Sequence, residues 1–298
     1  MLKKILFFAL LLNFIIIPSL QAAPVLLKKN GAIYVQNATT AEVEELFKQY
    51  DYDDFSKAKT KFPRIFLQKL PSDWAQIPDS HDKHRTFIRI MLPLVLKVNE
   101  DILAERAMLE KIYKHWQEEH KLTDQEKTQF EKFVQKYDVA TPKKGDERIE
   151  HLLLLLLPKI DAVPPSIMVT TAGIYSDWGA SRLALEGNNL YRTEVWYTDE
   201  GMKPLDDAKA QYRYRKFTTL EEAITERALK INSHINYDYV RITRMQARKL
   251  KSPPYSPQLV AQMLNDSNLR NIAGLIDYTF SYYKLSRTDF LPQLRNVE

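Results

Sequence analysis

The sequence predicts a mainly α protein with one small β-hairpin lobe. Three observations carry that expectation. Apolar residues recur at helical spacing over long stretches, as at Phe87, Ile90, Met91, Leu94, Val95, Val98, Ile102, Leu103 and Leu109. Helix-start chemistry recurs as well: Thr40 ahead of Glu42 and Glu44, Thr123 with Asp124, Pro164 with Pro165, and Thr218 or Thr219 ahead of Glu221 and Glu222. One stretch, residues 194–217, instead alternates polar and apolar residues on either side of Asp199-Glu200-Gly201, which is the pattern of a hairpin.

The chain has 298 residues, 45% of them apolar, enough for one or two domains with an ordinary buried core. It has no cysteine, so the fold rests on packing without disulfides. Its formal charge of +5 falls by two if Lys3 and Lys4 are removed with a leader. That mild excess suits an anionic polymer and is far from the basic stripe of a nucleic-acid binder. Residues 1–22 have the build of a secretory signal peptide: Lys3 and Lys4, an apolar run over 5–17, Pro18, and Ser19-Leu20-Gln21-Ala22-Ala23, with cleavage after Ala22 or Ala23. The run is shorter than the roughly 20 residues a membrane helix needs. An exported, periplasmic protein with no stable membrane span after cleavage is therefore expected.

In chain order, residues 26–36 read as one short strand and 40–47 as a helix with Thr40 as its cap. Asp51, Asp53 and Asp54 form a solvated acidic turn, without the glycine and distal glutamate of a calcium loop. A long helix over 83–118 is interrupted near Pro93. His81, His84, His115 and His120 are spaced as surface histidines, so no metal site and no cofactor are expected. Residues 122–137 make an amphipathic helix and 140–146 a linker; Leu152 to Leu157 make 148–160 a fully buried helix. The unit at 163–191 reads as a helix over 166–175, a Ser176-Asp177-Trp178-Gly179 turn, a short helix over 180–185, and a left-handed position within Gly187-Asn188-Asn189. Helices are further expected over 220–235, 259–264 and 269–285.

This unit carries a resemblance. Ser176, Trp178, Gly179, Ser181, Arg182, Ala184, Glu186, Gly187, Asn188, Asn189 and Leu190 match, in register, A-L-E-S-G-W-G-T-S-R-F-A-x-E-G-N-N-L-F-G, the pattern of the peptidoglycan glucosaminidase family in its Bax-type subgroup, related to the flagellar-rod muramidase. Residues 63–70 and 91–106 resemble the subgroup's P-x-I-F-L…L-P and L-L-P-L-V-L-x-x-N-E-x-I-L-x-x-R. Asn232, Ser233, His234, Tyr237 and Arg241 resemble its N-x-x-T-H-x-A-Y-x-x-x-R, so the resemblance spans residues 60–290. It implies a lysozyme-like helical domain over 147–290, with the hairpin as its small lobe, preceded by a helical N-terminal region over 24–140. It also implies β-N-acetylglucosaminidase chemistry, with the glycan strands of peptidoglycan as partner.

Cleaving a glycosidic bond requires a carboxylic acid that protonates the leaving oxygen. The resemblance places that acid at position 175, where this chain has Tyr175. A phenol with a pKa near ~10 holds its proton at neutral pH and is a poor acid for this step. The family's Gln-Ala-Ala ahead of the acid is Thr171-Ala172-Gly173 here, and its cleft-lining Y-S-x-x-G-x-x-Y falls on Asn265-Asp266-Ser267-Asn268-Leu269-Arg270-Asn271-Ile272. The expectation is a glycan-binding homologue with weak or absent hydrolysis. Trp178, Tyr191, Trp196 and Tyr197 would offer ring faces, Asn188 and Asn189 would donate to sugar groups, and His234 would join them. Core packing is the competing role for Trp178. Asp177, Glu194, Asp199 and Glu200 are the carboxylates open to a relocated acid, and Glu186 is read as fixing the loop near Arg182. The alternatives are an active enzyme using such an acid, and a structural partner in envelope assembly.

Overall fold

The computed structural model describes residues 23–56, 61–207, 209–249, 273–290 and 292–297. The leader at 1–22, the helix expected at 259–264 and the window at 265–272 lie outside the described residues. Residues 25–36 form two strands where one was expected, β1 (Val25–Lys29) and β2 (Ala32–Gln36), paired antiparallel. The reason is the Asn30-Gly31 turn, whose φ values of 52° and 70° are those of a tight hairpin. Thr39, not Thr40, caps α1 (Thr40–Gln49), because Glu42 completes a capping box three residues on. β3 (Phe62–Pro63) precedes β4 (Ile65–Leu67), which adds to β2 in parallel. The N-terminal region, expected to be helical, thus opens with a three-stranded sheet.

The long helix is α2 (His81–Glu119), capped by Ser80 and ended by His120 in the left-handed region. Pro93 does not interrupt it. Phe87 to Leu96 are all buried, so packing on every side holds the helix across the hydrogen bond that proline cannot make. Further on, Ile102, Leu109, Ile112 and Trp116 leave a single apolar stripe. α3 (Asp124–Lys136) packs on that half and starts with a Thr123–Glu126 capping box. α4 (Gly145–Lys159) is not fully buried as expected: Leu152, Leu153 and Leu156 face inward while Leu154 is exposed, so it is a one-sided surface helix.

α5 (Pro165–Tyr175) lies against α2 with Pro165 in its first turn, and α6 (Arg182–Gly187) follows. β5 (Glu194–Trp196) and β6 (Tyr212–Tyr214) form the hairpin. α7 (Leu220–Ser233), capped by Thr219, packs on α2, and α8 (Asp238–Lys249) packs on α4. α9 (Ala273–Tyr282) packs on α5, and β7 (Leu294–Arg295) pairs with β3. A continuous apolar core joins the sheet, α2 and α5, from Ile33 and Phe66 through Leu92 to Val169 and Leu285. Among the described residues no helix is long and apolar enough to cross a membrane.

Polar clamps fix α5 at its start. Asn99 of α2 exchanges two 2.8 Å hydrogen bonds with the backbone of Val163, donating to its carbonyl and accepting from its amide. Arg106 donates to the Leu157 and Ile160 carbonyls at 2.7 and 3.0 Å. Asp161, buried beside them, faces Arg106, Arg244 and Arg248, with Arg248 Nε at 2.6 Å. Burial opposes ionisation of Asp161, but the Arg248 hydrogen bond and the charges of Arg244 and Arg106 prevail and hold its pKa below the usual carboxylate value.

At the first turn of α5, the backbone amide and hydroxyl of Ser166 donate to the two oxygens of Asp289 at 2.9 and 2.7 Å. Burial outweighs these bonds and pushes the Asp289 pKa up to about 7. With an unfolded value near ~3.9, the folded state binds the extra proton between those values, so this group withdraws stability as pH rises from about 4 to 7. Asp289→Asn keeps an acceptor for the amide and can donate to the serine. It is expected to gain stability over wild type on going from pH 5 to pH 8. Urea midpoints of both proteins at the two pH values check this; parallel changes would rule it out.

Candidate functional site

α5 ends at Tyr175, and the next four residues are shaped rather than slack. Asp177, Trp178 and Gly179 all take left-handed backbone, with φ of 52°, 50° and 83°. Ser176 is buried; its hydroxyl accepts from Gly179 N at 2.9 Å and its carbonyl from Ser181 N at 2.9 Å. Trp178 N donates to Gly173 O at 2.6 Å. A Cβ on Gly173 would lie 2.9 Å from the Trp178 ring, so glycine there is what lets the indole fold back over α5.

Trp178 is half-buried and packs against the core. Its ring stacks on His84 at 3.9 Å between centroids and meets Phe87 and Tyr283 edge-on at 5.8 Å. Trp74, fully buried, donates Nε1 to the Trp178 carbonyl at 3.0 Å. His84 corrects the surface expectation: it is half-buried, with Nε2 2.7 Å from Asp79 and Nδ1 3.0 Å from the Tyr283 hydroxyl. His115 likewise pairs with Glu126 at 2.8 Å.

Ser181 caps α6, and Asn188 at φ 50° ends it in the expected left-handed position. The amides of Asn188 and Asn189 do not point to a ligand as expected. Asn188 Nδ2 donates to the Phe217 and Thr218 carbonyls at 3.0 and 3.1 Å, and Asn189 Nδ2 to those of Thr193 and Arg215, both at 2.9 Å. Both asparagines are buried and frame the base of the hairpin. Tyr191 corrects a second expectation: its ring is buried and its hydroxyl donates to Met168 O at 3.2 Å, so it braces α5. The next residue, Arg192, donates Nε to Tyr175 O at 3.0 Å. His234 is exposed, and its Nδ1 accepts from Asn236 N at 3.3 Å in a capping role.

The hairpin holds the exposed chemistry. Trp196 stands opposite Tyr212 and Glu194 opposite Tyr214, which puts all four on one face. Ring centroids are 5.2 Å apart for Trp196 and Tyr212 and 5.4 Å for Tyr212 and Tyr214. A hydrogen bond with Tyr214 pushes the Tyr212 pKa up to about 12. Trp196 is 54% exposed and Tyr197 84%. Tyr212 and Tyr214 were legible only as alternation; the register that sets them beside Trp196 is what gives them a role. Arg182 ties this lobe to α6, donating to Lys203 O at 2.7 Å and pairing with Glu186 at 3.4 Å, as the loop-fixing reading of Glu186 expects. Asp177, Glu186, Glu194, Asp199 and Glu200 are all exposed. Among the described residues no three of His, Asp and Glu gather as metal ligands.

Residues 157–277 match the glucosaminidase family model, described as mannosyl-glycoprotein endo-β-N-acetylglucosaminidase. The chain is also 28% identical over 182 residues to protein Bax of Escherichia coli strain K12, a match covering 59% of this chain and 61% of that protein. No solved structure matches significantly. The matched residues run from the end of α4 to α9 and hold the shaped turn, the asparagine frame and the hairpin; this region matches the glucosaminidase family model, in a chain similar to protein Bax.

Proposed function

We propose that this protein is exported by its leader and binds peptidoglycan glycan strands with weak or absent hydrolysis. Residues 147–290 form the glycan-binding domain, and residues 24–140 brace α5 from behind. The observation that carries this reading is Tyr175 at the end of α5, where the family's pattern has its acid. Without a carboxylic acid there, roughly 10²–10⁴-fold of general acid–base catalysis is lost. Burial is the usual means of keeping a carboxylic acid protonated, and the carboxylates of the turn and hairpin are exposed. The face of Trp196, Tyr212 and Tyr214 offers apolar surface for sugar rings.

Glu194 on that aromatic face favours a second reading, an enzyme with a relocated acid. A lone exposed carboxylate can activate water but does not protonate the leaving group, so this reading ranks below the first. Co-sedimentation with insoluble peptidoglycan tests the binding surface. Trp196→Ala is expected to weaken retention roughly tenfold, as for a central aromatic contact. Unchanged retention by Trp196→Ala and by Tyr212→Ala would remove the hairpin from the site.

A further inference from the structure

The start of α2 borders a cavity of about 400 Å³ whose walls carry Lys83, Arg85 and Arg89. A lysine is seldom buried without a counter-charge. Lys83 is 4% exposed and makes no ion pair among the described residues. Its ammonium donates to Ile77 O at 2.7 Å and lies 5.5 Å from the centroid of the Trp74 ring. An ammonium has three N–H bonds, so the carbonyl takes one and two stay open. The ring face suits a cation but does not neutralise it.

Arg89 adds a further open donor. Its side chain is only 9% accessible; Nη2 donates to Glu44 and Thr86 and Nη1 to Tyr52 O, while Nε is buried with no acceptor. Arg85, at the rim with 29% of its side chain accessible, bonds Asp54 through one terminal nitrogen. Ser80 Oγ accepts from Lys83 N, which leaves its hydroxyl proton free to donate. The positive end of α2 adds to the same sign. Two carboxylates also line the cavity. Glu44 is held by Arg89 and Thr86, and Asp82 has its side chain 96% accessible to water. Open donors therefore outnumber free acceptors in this cavity.

We propose that this cavity is an oxyanion site that takes a phosphate group. Lys83 and Arg85 would supply charge, and Ser80 and Arg89 Nε would supply hydrogen bonds. A tetrahedral phosphate accepts from several directions at once, which suits donors spread over residues 80–89; a planar carboxylate offers only two oxygens. The phosphate is either free inorganic phosphate or an ester. Trp74 forms one wall of the cavity and donates Nε1 to Trp178 O in the turn after Tyr175, so a bound anion would brace that turn from behind. The inference does not depend on glycan binding.

The test is thermal unfolding of the full chain in potassium phosphate against potassium chloride at equal ionic strength and pH 7. Saturating phosphate is expected to raise Tm by roughly 5 °C. Lys83→Met keeps the packed stem, removes the charge and should weaken phosphate binding roughly tenfold or more. Lys83→Arg should keep part of the affinity. Arg85→Gln should weaken binding roughly threefold and carries the test if Lys83→Met does not fold. Lys114→Met removes an exposed charge about 45 Å along the same helix and should bind as wild type does. Tighter binding of glycerol 3-phosphate than of phosphate would support the site and assign the group to an ester; weaker binding would support it and assign free phosphate. A linear, unsaturated rise shared by all variants is the general effect of an excluded salt and would overturn the inference. Equal Tm in phosphate and chloride, or acetate acting as well as phosphate, would overturn it too.

Discussion

Tyr175→Glu is expected to raise the release of reducing ends from peptidoglycan by roughly 10²-fold or more over wild type, since it restores the proton donor at the one position where the chain departs from the acid. The surroundings suit a glutamate. Position 175 is half-buried at the C-terminal end of α5, where the helix's negative end favours a protonated carboxyl. The shaped turn from Ser176 to Gly179 and the Arg192 bond to the Tyr175 carbonyl are backbone features that the substitution leaves in place. Activity should fall as pH rises through the new carboxyl's pKa, the signature of a required acid. A Glu variant that sediments normally yet stays inert would mean that the differences at 265–272, or the hairpin, also removed chemistry.

Asp161→Ala should lower stability by roughly 3–5 kcal/mol, because it leaves three arginines around a buried site without their carboxylate. Arg244 is the most exposed to this loss, since its side chain is fully buried. Arg248 is 38% accessible and can relax toward water, so Arg248→Ala should cost less. At about 2 °C or more per kcal/mol for a chain of this size, the Asp161 variant should melt roughly 8 °C lower. The pH sign is opposite to that of Asp289. With a depressed folded pKa, Asp161 contributes fully above its unfolded value near ~3.9 and loses that contribution as pH falls through the folded value. Thermal unfolding at neutral pH and below pH 4 checks both parts. A variant as stable as wild type at neutral pH would show that the cluster is not a structural clamp.

Much of the fold was legible because the helices announce themselves locally. The pattern from Phe87 to Leu109, Pro165 in the first turn of α5 and the left-handed Asn188 all follow from residues within one or two turns. Two further features also follow from local signals: Asn30-Gly31 is a hairpin turn within the apolar stretch 26–36, and Glu42 three residues on selects Thr39 as the cap. Other features depend on partners far along the chain. Asp161 meets arginines 55 residues before it and more than 80 after it, which no window reveals. The motif asparagines identify the loop but not the direction of their amides, which turn inward to Phe217 and Arg215 carbonyls. Tyr191 ends a motif that suggests a cleft, and is drawn into the core by the Met168 carbonyl. Arg227 is in plain view on α7, but its place over the Tyr191 and Tyr237 rings is visible only in three dimensions.

The central question is whether the unaltered protein cleaves the polymer it is proposed to hold. Purified peptidoglycan should be incubated with the wild-type chain between pH 4 and 8, following bound protein in the pellet and new reducing ends in the supernatant. Protein retained by the pellet with no reducing ends above a protein-free control is the predicted result. Sustained release of reducing ends by wild type would contradict it and would direct attention to Glu194 on the aromatic face of the hairpin.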